Sequence, residues 1–227
     1  MSDKIIKMPT LQEQVYLYLK KAIMDGEIEE GKIYSEQWVA DILGVSRTPV
    51  REAIIQLKQG YLVDILPYKG FIVKDLSPKD IQDTLQIRQA LEGFCVISIA
   101  QNYHTPMAQD LFSQLNSYLD EQEKLARENS PYEFMELDKV FHLDIIDYTS
   151  NERLIATFNE ICSRFERITI QALKEPGRME ITVKEHRNIL EMMKKGDPWG
   201  AYQKIEYHLN KTKSTLENKA KKISTKE

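Results

Sequence analysis

Residues 46–59 read Ser46-Arg47-Thr48-Pro49-Val50-Arg51-Glu52-Ala53-Ile54-Ile55-Gln56-Leu57-Lys58-Gln59, and this run decides the first domain. Ser46 is an N-cap type, and Arg47, Thr48 and Pro49 fill a first turn in which proline sacrifices no hydrogen bond. Val50, Ala53, Ile54 and Leu57 recur at helical spacing, so one face is apolar and needs a core to dock on. Arg47, Thr48 and Arg51 crowd the opposite face at the N-terminal end. Long cations placed there reach bases and phosphates in a major groove, and the helix dipole favours a nearby phosphate. Gly60 is expected to end the helix as a left-handed cap.

The flanks complete a winged helix-turn-helix. Ser35 caps a short helix over residues 36–43 whose apolar side is Trp38, Val39 and Ile42; Gly44 makes the tight turn and Val45 fills the corner. Beyond Gly60, residues 61–66 and 71–73 are two β-rich runs around Pro67-Tyr68-Lys69-Gly70, which predicts a hairpin. Such a unit suits DNA, although a three-helix unit with a hairpin can also dock another protein.

The run Gly44-Val45-Ser46-Arg47-Thr48-Pro49-Val50-Arg51-Glu52-Ala53-Ile54, with the wing Pro67-Tyr68-Lys69-Gly70-Phe71-Ile72-Val73, resembles the N-terminal domain of GntR-family bacterial transcription regulators. The resemblance implies a double-stranded DNA operator as partner, with Arg47, Thr48, Arg51, Lys69 and Gly70 at the interface. Many relatives carry an arginine early in the second helix of this domain. Gln37 stands at that place here, which puts one phosphate or base contact in doubt.

Composition sets the frame for the remainder. The chain has 227 residues, enough for two modest domains, with 42% hydrophobic and 29% charged residues. The first ten residues hold no long apolar core, so no signal peptide is expected, and no run of about 18 apolar residues suggests a membrane span. Cys95 and Cys162 both fall in apolar helical stretches and are expected to be buried thiols in a reducing cytoplasm. A net charge of −4 argues against a general nucleic-acid binder. Between Gly44 and Lys74, however, Arg47, Arg51, Lys58, Lys69 and Lys74 outnumber Glu52 and Asp64. Only the contacting face must neutralise phosphates.

The expected fold is mainly α: a flexible arm over 1–9, the winged domain over 10–74, a linker at 75–76, a helical bundle over 77–222 and a tail over 223–227. In the first domain a helix from Thr10 or Leu11 to Met24 presents Leu11, Val15, Leu19 and Ile23 on one face. Ser77-Pro78-Lys79-Asp80 restarts helix close to a capping box. Helices are predicted over 78–102, 106–128, 131–148, 151–173, 178–195 and 198–222, with short connections that imply antiparallel neighbours. Beyond Asn218 the apolar stripe is lost and the lysine-rich end is expected to fray.

Leu76-Ser77-Pro78-Lys79-Asp80-Ile81 and Ile87-Arg88-Gln89-Ala90-Leu91-Glu92 resemble the start of the effector domain, the FCD domain, of FadR-type GntR regulators. That resemblance implies an all-helical, dimer-forming bundle that binds a small molecule. Six helices would place it on the VanR-like branch.

Asp138 and His142, four apart, share one helix face, and His186 and His208 lie on two later helices. A compact bundle can bring the four to one interior point, where imidazoles and a carboxylate suit divalent Zn, Ni, Mn or Fe. Each histidine alone also reads as an ordinary surface or core residue. In metal-binding members of the family an Asp-x3-His pair and two later histidines are the ligands, and Asp138, His142, His186 and His208 fall on that pattern. His104 matches nothing. The family implies an organic acid as effector, which Arg88 could pair with through a carboxylate; an interhelical salt bridge explains Arg88 as well. Asn151 resembles an asparagine that opens the fourth helix of the domain, where capping suffices. An Asp/His₃ site can also do hydrolytic or oxidative chemistry, but Glu185, beside His186, is expected on another helix face and so makes a poor general base.

Overall fold

The computed structural model describes residues 9–224, of which 222–224 are described as backbone. Most of the arm expected at the N-terminus (1–8) and the last residues of the expected tail (225–227) lie outside them. The chain parts into two compact units between Asp75 and Leu76.

The first unit contains α1 (Leu11–Asp25), β1 (Ile33–Tyr34), α2 (Glu36–Leu43), α3 (Arg47–Gln59), β2 (Val63–Leu66) and β3 (Gly70–Val73). Thr10 and Glu13 form a full capping box at the start of α1, and Gly26, at φ 85°, closes its end. Val15, Leu19 and Ile23 bury one face of α1 against α3, which contributes Val50, Ala53, Ile54 and Leu57; Leu11 stays half exposed. α2 and α3 meet across Gly44, a left-handed turn at φ 64°.

Four local expectations change. Gly60 is not left-handed (φ −75°); Tyr61 takes that conformation at φ 59°, and its N–H donates to the Lys58 carbonyl. Ser46 holds the N-cap position with extended backbone but makes no side-chain cap bond. On α2 the buried residues are Val39 and Ala40, while Trp38 and Ile42 are exposed. Eight residues make barely two turns, and a one-residue phase error turns the apolar side by about 100°, which keeps Val39 inside but exposes Trp38 and Ile42. Finally, the wing is three-stranded, in the order β1-β3-β2, all antiparallel. β1 is two residues long, too short for any alternation to announce it.

Gly70 fixes where β1 meets the wing. Its φ is +116°, and an added Cβ would come within 2.0 Å of the Tyr34 carbonyl oxygen. The turn before it leaves Tyr68 and Lys69 exposed at the tip.

The second unit is a bundle of six helices among the described residues: α4 (Pro78–Gln101), α5 (Pro106–Arg127), α6 (Pro131–Asp147), α7 (Glu152–Leu173), α8 (Arg178–Lys194) and α9 (Pro198–Ser224). Proline opens four of them, at the position where its missing N–H costs nothing. Ser77, Thr105 and Asn151 cap α4, α5 and α7 with side-chain oxygens. α4 packs on α9, α6, α7 and α8, and α5 closes the bundle on α6 and α8. The apolar core gathers Phe112, Leu115, Phe141, Phe165, Ile189 and Ile205 among others. α9 runs on through the lysine-rich segment, where Lys219 donates to the Gln171 side chain, so the expected fraying past Asn218 does not occur there. Cys95 is buried and its thiol is pushed up to about 12 by desolvation, whereas Cys162 is only half buried.

Gly70→Ala is expected to lose about 1–3 kcal/mol from the first unit, because either the β1–β3 pairing or the turn must give way. Urea unfolding followed by Trp38 fluorescence measures this; an unchanged midpoint would mean that the wing relaxes without cost.

Candidate functional site

Each unit carries one concentration of functional groups. In the first, α3 projects Arg47, Thr48 and Arg51 into solvent from its N-terminal end. Both arginines converge on Glu36, in the first turn of α2. Arg47 Nη2 lies 2.9 Å from Oε2, and Arg51 binds both oxygens, Nε to Oε1 at 3.0 Å and Nη2 to Oε2 at 2.9 Å. The hydrogen bond from Arg51 is the main reason that Glu36 sits below the usual carboxylate range. Gln37 is exposed, and its amide donates to Asp41 at 2.7 Å. Lys69 and Gly70 lie at the turn of the wing, as the sequence placed them, but Lys74 is paired with Asp64 at 3.1 Å. Part of the local positive excess is therefore spent internally.

In the second unit, three helices bring three histidines together. His142 on α6, His186 on α8 and His208 on α9 are all buried, and one nitrogen from each lies within 4.8 Å of the others. Asp138, one turn before His142, is buried beside them, 3.4 Å from His186 Nε2 and 3.8 Å from His142 Nε2. The sequence-predicted quartet is thus assembled at one place. Phe141 stacks on His186 with ring centres 4.3 Å apart, and Phe165 meets His142 edge-on.

The Nδ1 atoms all face outward to a further layer that the spacing did not reveal. His186 Nδ1 is 3.0 Å from Gln122 Oε1 on α5, and His208 Nδ1 is 2.8 Å from Glu185 Oε2. His142 Nδ1 lies 2.7 Å from Glu92 Oε2 on α4, close but off the line of a good hydrogen bond. Partners on Nδ1 hold the ring orientation and favour the tautomer that leaves Nε2 free, the arrangement seen around bound metals. Indeed Nε2 of His142 and of His186 has no hydrogen-bond partner although fully buried. Buried polar atoms are rarely left so.

Glu185 is buried rather than turned to another face. Besides His208 it takes a two-pronged pair from Arg178, 2.9 Å at each oxygen, and Arg178 also donates to Thr212. Its adjacency to His186 was visible in the sequence; its partners were not. Arg88 is likewise buried, but its partner is Glu92 on its own helix (2.5 Å), not an acid on a neighbouring one, and its guanidinium lies 3.7 Å over Phe165. The Nη2 of Arg88 and Nε of Arg178 have no acceptor. Asn151 is exposed, and its Oδ1 accepts from the N–H groups of Arg153 and Leu154. It caps α7 and is not among the groups contacting the histidines. His104 is an exposed turn residue.

Burial holds all three imidazoles well below their ordinary range, so they are neutral, the form that coordinates metals. Burial also pushes Asp138 up to about 7; the positive charge of Arg88 opposes this and the negative charge of Glu92 adds to it. A cavity of about 10 Å³, lined by Asp138, His208, Arg178, Thr182 and Thr212 among others, adjoins the cluster. It has room for about one water.

Residues 11–73 match the model for bacterial regulatory proteins of the gntR family, and residues 83–211 match that for the FCD domain. The chain belongs to the GntR family and carries an FCD domain. It is 28% identical over 198 residues to the HTH-type transcriptional regulator YdhC of Bacillus subtilis (strain 168), covering 87% of each chain. It is 24% identical over 206 residues to the HTH-type transcriptional repressor RspR of Escherichia coli (strain K12), covering 91% of this chain and 89% of that one. E. coli McbR/YncC has the same fold, with a TM-score of 0.75 at 20% identity over 94% of this chain and all of its own. The protein is therefore a DNA-binding transcription regulator with an effector-binding helical domain, and its relatives are regulators rather than enzymes. Among the described residues no helix is long and apolar enough to cross a membrane.

Arg178→Met is expected to cost about 3–5 kcal/mol in thermal or urea unfolding, because Glu185 loses its guanidinium inside the bundle. Replacing both, Arg178→Met with Glu185→Leu, should recover part of that loss. Equal stability of the single variant and wild type would show that His208 alone suffices to hold Glu185.

Proposed function

We propose that this regulator binds an inverted-repeat operator as a homodimer and that a small carboxylate, acting at a divalent metal in the FCD domain, changes its DNA affinity. The observation that carries the reading is the pair of orphaned, fully buried Nε2 atoms of His142 and His186 beside Asp138. Neutral imidazoles, two of them bonded outward through Nδ1, and one carboxylate fit Zn, Ni, Mn or Fe, with Asp138, His142, His186 and His208 as ligands. When bound, such a metal supplies positive charge and open positions for an oxygen ligand. The unsatisfied donors of Arg88 and Arg178 support an anionic effector in the same region. Asn151 is assigned capping and no effector contact.

At the DNA, Arg47, Thr48 and Arg51 face the major groove, and Lys69 at the wing tip takes a phosphate. Gln37, tied to Asp41, makes at most a secondary contact. The dimer forms through the helical domain: Ile87 and Phe94, two turns apart on α4, are exposed apolar residues on its outer face. Six bundle helices favour the six-helix branch of the FCD regulators, and a regulator of this kind works in the cytoplasm. An effector can shift operator affinity only by its differential affinity for the two states, about 1–3 kcal/mol or 5- to 150-fold.

Arg51→Ala is expected to lose about 1–3 kcal/mol of operator affinity if its fork reads a base. Gel shifts with the duplex that wild type selects from a randomised pool measure this; retention in both Arg47→Ala and Arg51→Ala would refute the assigned DNA face.

Adding Zn to chelated protein should raise Tm in wild type but not in His142→Ala. The rise should be larger near pH 8 than near pH 6. Metal-free Asp138 holds its proton up to about 7 and must release it to become a ligand, so acid competes with the metal. A pH-independent rise, or the same rise in the variant, would place the metal elsewhere.

A further inference from the structure

Among the described residues, Glu36 is the one group that both arginines of the candidate DNA face hydrogen-bond, and it comes from a different helix. Its Oε2 accepts from Arg47 and Arg51 together, and its Oε1 takes the Nε–H of Arg51. Both arginine side chains are more than half exposed, at 56% and 59%, while the Glu36 side chain is only 20% exposed. Exposed ion pairs add little to stability, because solvent screens them and long side chains lose freedom in making them. Holding the first unit together is thus a weak explanation for a three-residue cluster at this particular end of α3.

The geometry points to another role: Glu36 is a positioning residue that presents the guanidinium of Arg51 to a guanine. This rests on the reading that Arg47 and Arg51 face the operator. A guanidinium has two edges that can bind in a two-pronged way. The side edge, Nε and Nη2, is taken by the Glu36 carboxylate. What remains is the end edge, Nη1 with the second Nη2 hydrogen, directed away from Glu36. Two parallel donors on that edge match O6 and N7 of guanine in the major groove. Arg51 is a four-bond arm at 59% exposure, so without Glu36 it would sample many rotamers and lose them on binding. Arg47, held through Nη2 alone, keeps Nε and Nη1 for a base or phosphate.

The same carboxylate also repels phosphates, and this opposition makes the inference testable. If Glu36 acted only as a surface charge, neutralising it would raise affinity for every duplex, because the face would become more positive. If it positions Arg51, neutralising it lowers affinity for the operator alone. Glu36→Gln keeps shape and length but can no longer accept on both oxygens.

Fluorescence anisotropy on the full-length protein can separate these effects. The probes are the duplex selected by wild type from a randomised pool, the same duplex with each guanine replaced in turn, and poly(dI-dC). For Glu36→Gln we expect about fivefold to tenfold weaker binding to the selected duplex, with binding to poly(dI-dC) unchanged or tighter. The penalty for replacing one guanine should shrink in Glu36→Gln and in Arg51→Ala alike. Glu36→Asp, which keeps both acceptors on a shorter arm, should restore part of the discrimination; an unchanged Tm excludes simple misfolding. Operator affinity that rises or stays level in Glu36→Gln would overturn the inference. If Arg51→Ala itself leaves operator binding intact, the assigned DNA face fails instead, and Glu36 with it.

Discussion

Four polar side chains buried in one place, Asp138, His142, His186 and His208, impose the constraint around which the helical unit is built. An apolar bundle pays heavily for any imidazole or carboxylate left without partners, so each must be matched by a further buried group. Gln122 from α5 and Glu185 from α8 provide that match at Nδ1 of His186 and His208, Glu92 from α4 lies close to Nδ1 of His142, and Arg88 and Arg178 in turn neutralise the two glutamates. The network draws on five of the six bundle helices, α4, α5, α6, α8 and α9, and α7 closes it with Phe165 under Arg88. Such a network contributes less to net stability than apolar packing of equal volume would, but it penalises wrong helix registers severely. What it leaves open is informative: the inner nitrogens of two histidines remain without partners, and these face the aspartate.

The winged unit works under the opposite conditions. Its functional groups are exposed, and a small core of α1 and α3 with the sheet needs only to hold α2 and α3 across Gly44. Water weakens every charge interaction at this surface, so geometry carries more information there than energy. The shared carboxylate of Glu36 organises the arginine forks, while Gly70 lets β1 approach the wing closely enough to set the turn that carries Lys69. An acidic chain can present a basic face in this way without a large overall charge.

Much of this was legible in the residues. Periodicity and punctuation located the helices to within a residue or two, because prolines at first turns and short polar breaks act locally. The Asp138–His142 pair was legible because i, i+4 spacing fixes a common face. That a compact bundle can bring His186 and His208 to the same point followed from their placement on later helices, and the family resemblance strengthened their reading as ligands. What stayed hidden depended on contacts between distant segments. Gln122 carries no local signal, and its role comes from α5 lying against α8. Arg178 and Glu185, two turns apart, share a face of α8, but nothing local says that this face is buried against Thr212 and His208 of α9. Errors clustered where the elements are shortest: the eight-residue α2, whose buried side was misjudged, and β1, two residues that exist as a strand only through β3. The misassigned cap at Gly60 shows the same limit, since the chain placed its left-handed residue one position later, at Tyr61.

The most direct test of the buried centre is anomalous scattering from crystals of the full-length protein grown with Zn, collected on both sides of the metal edge. The account predicts a single strong anomalous peak enclosed by Asp138 and the Nε2 atoms of His142 and His186, with His208 completing the set through the nitrogen not held by Glu185. A strong peak only at surface sites, with the interior histidines bonded to one another or to water, would contradict it.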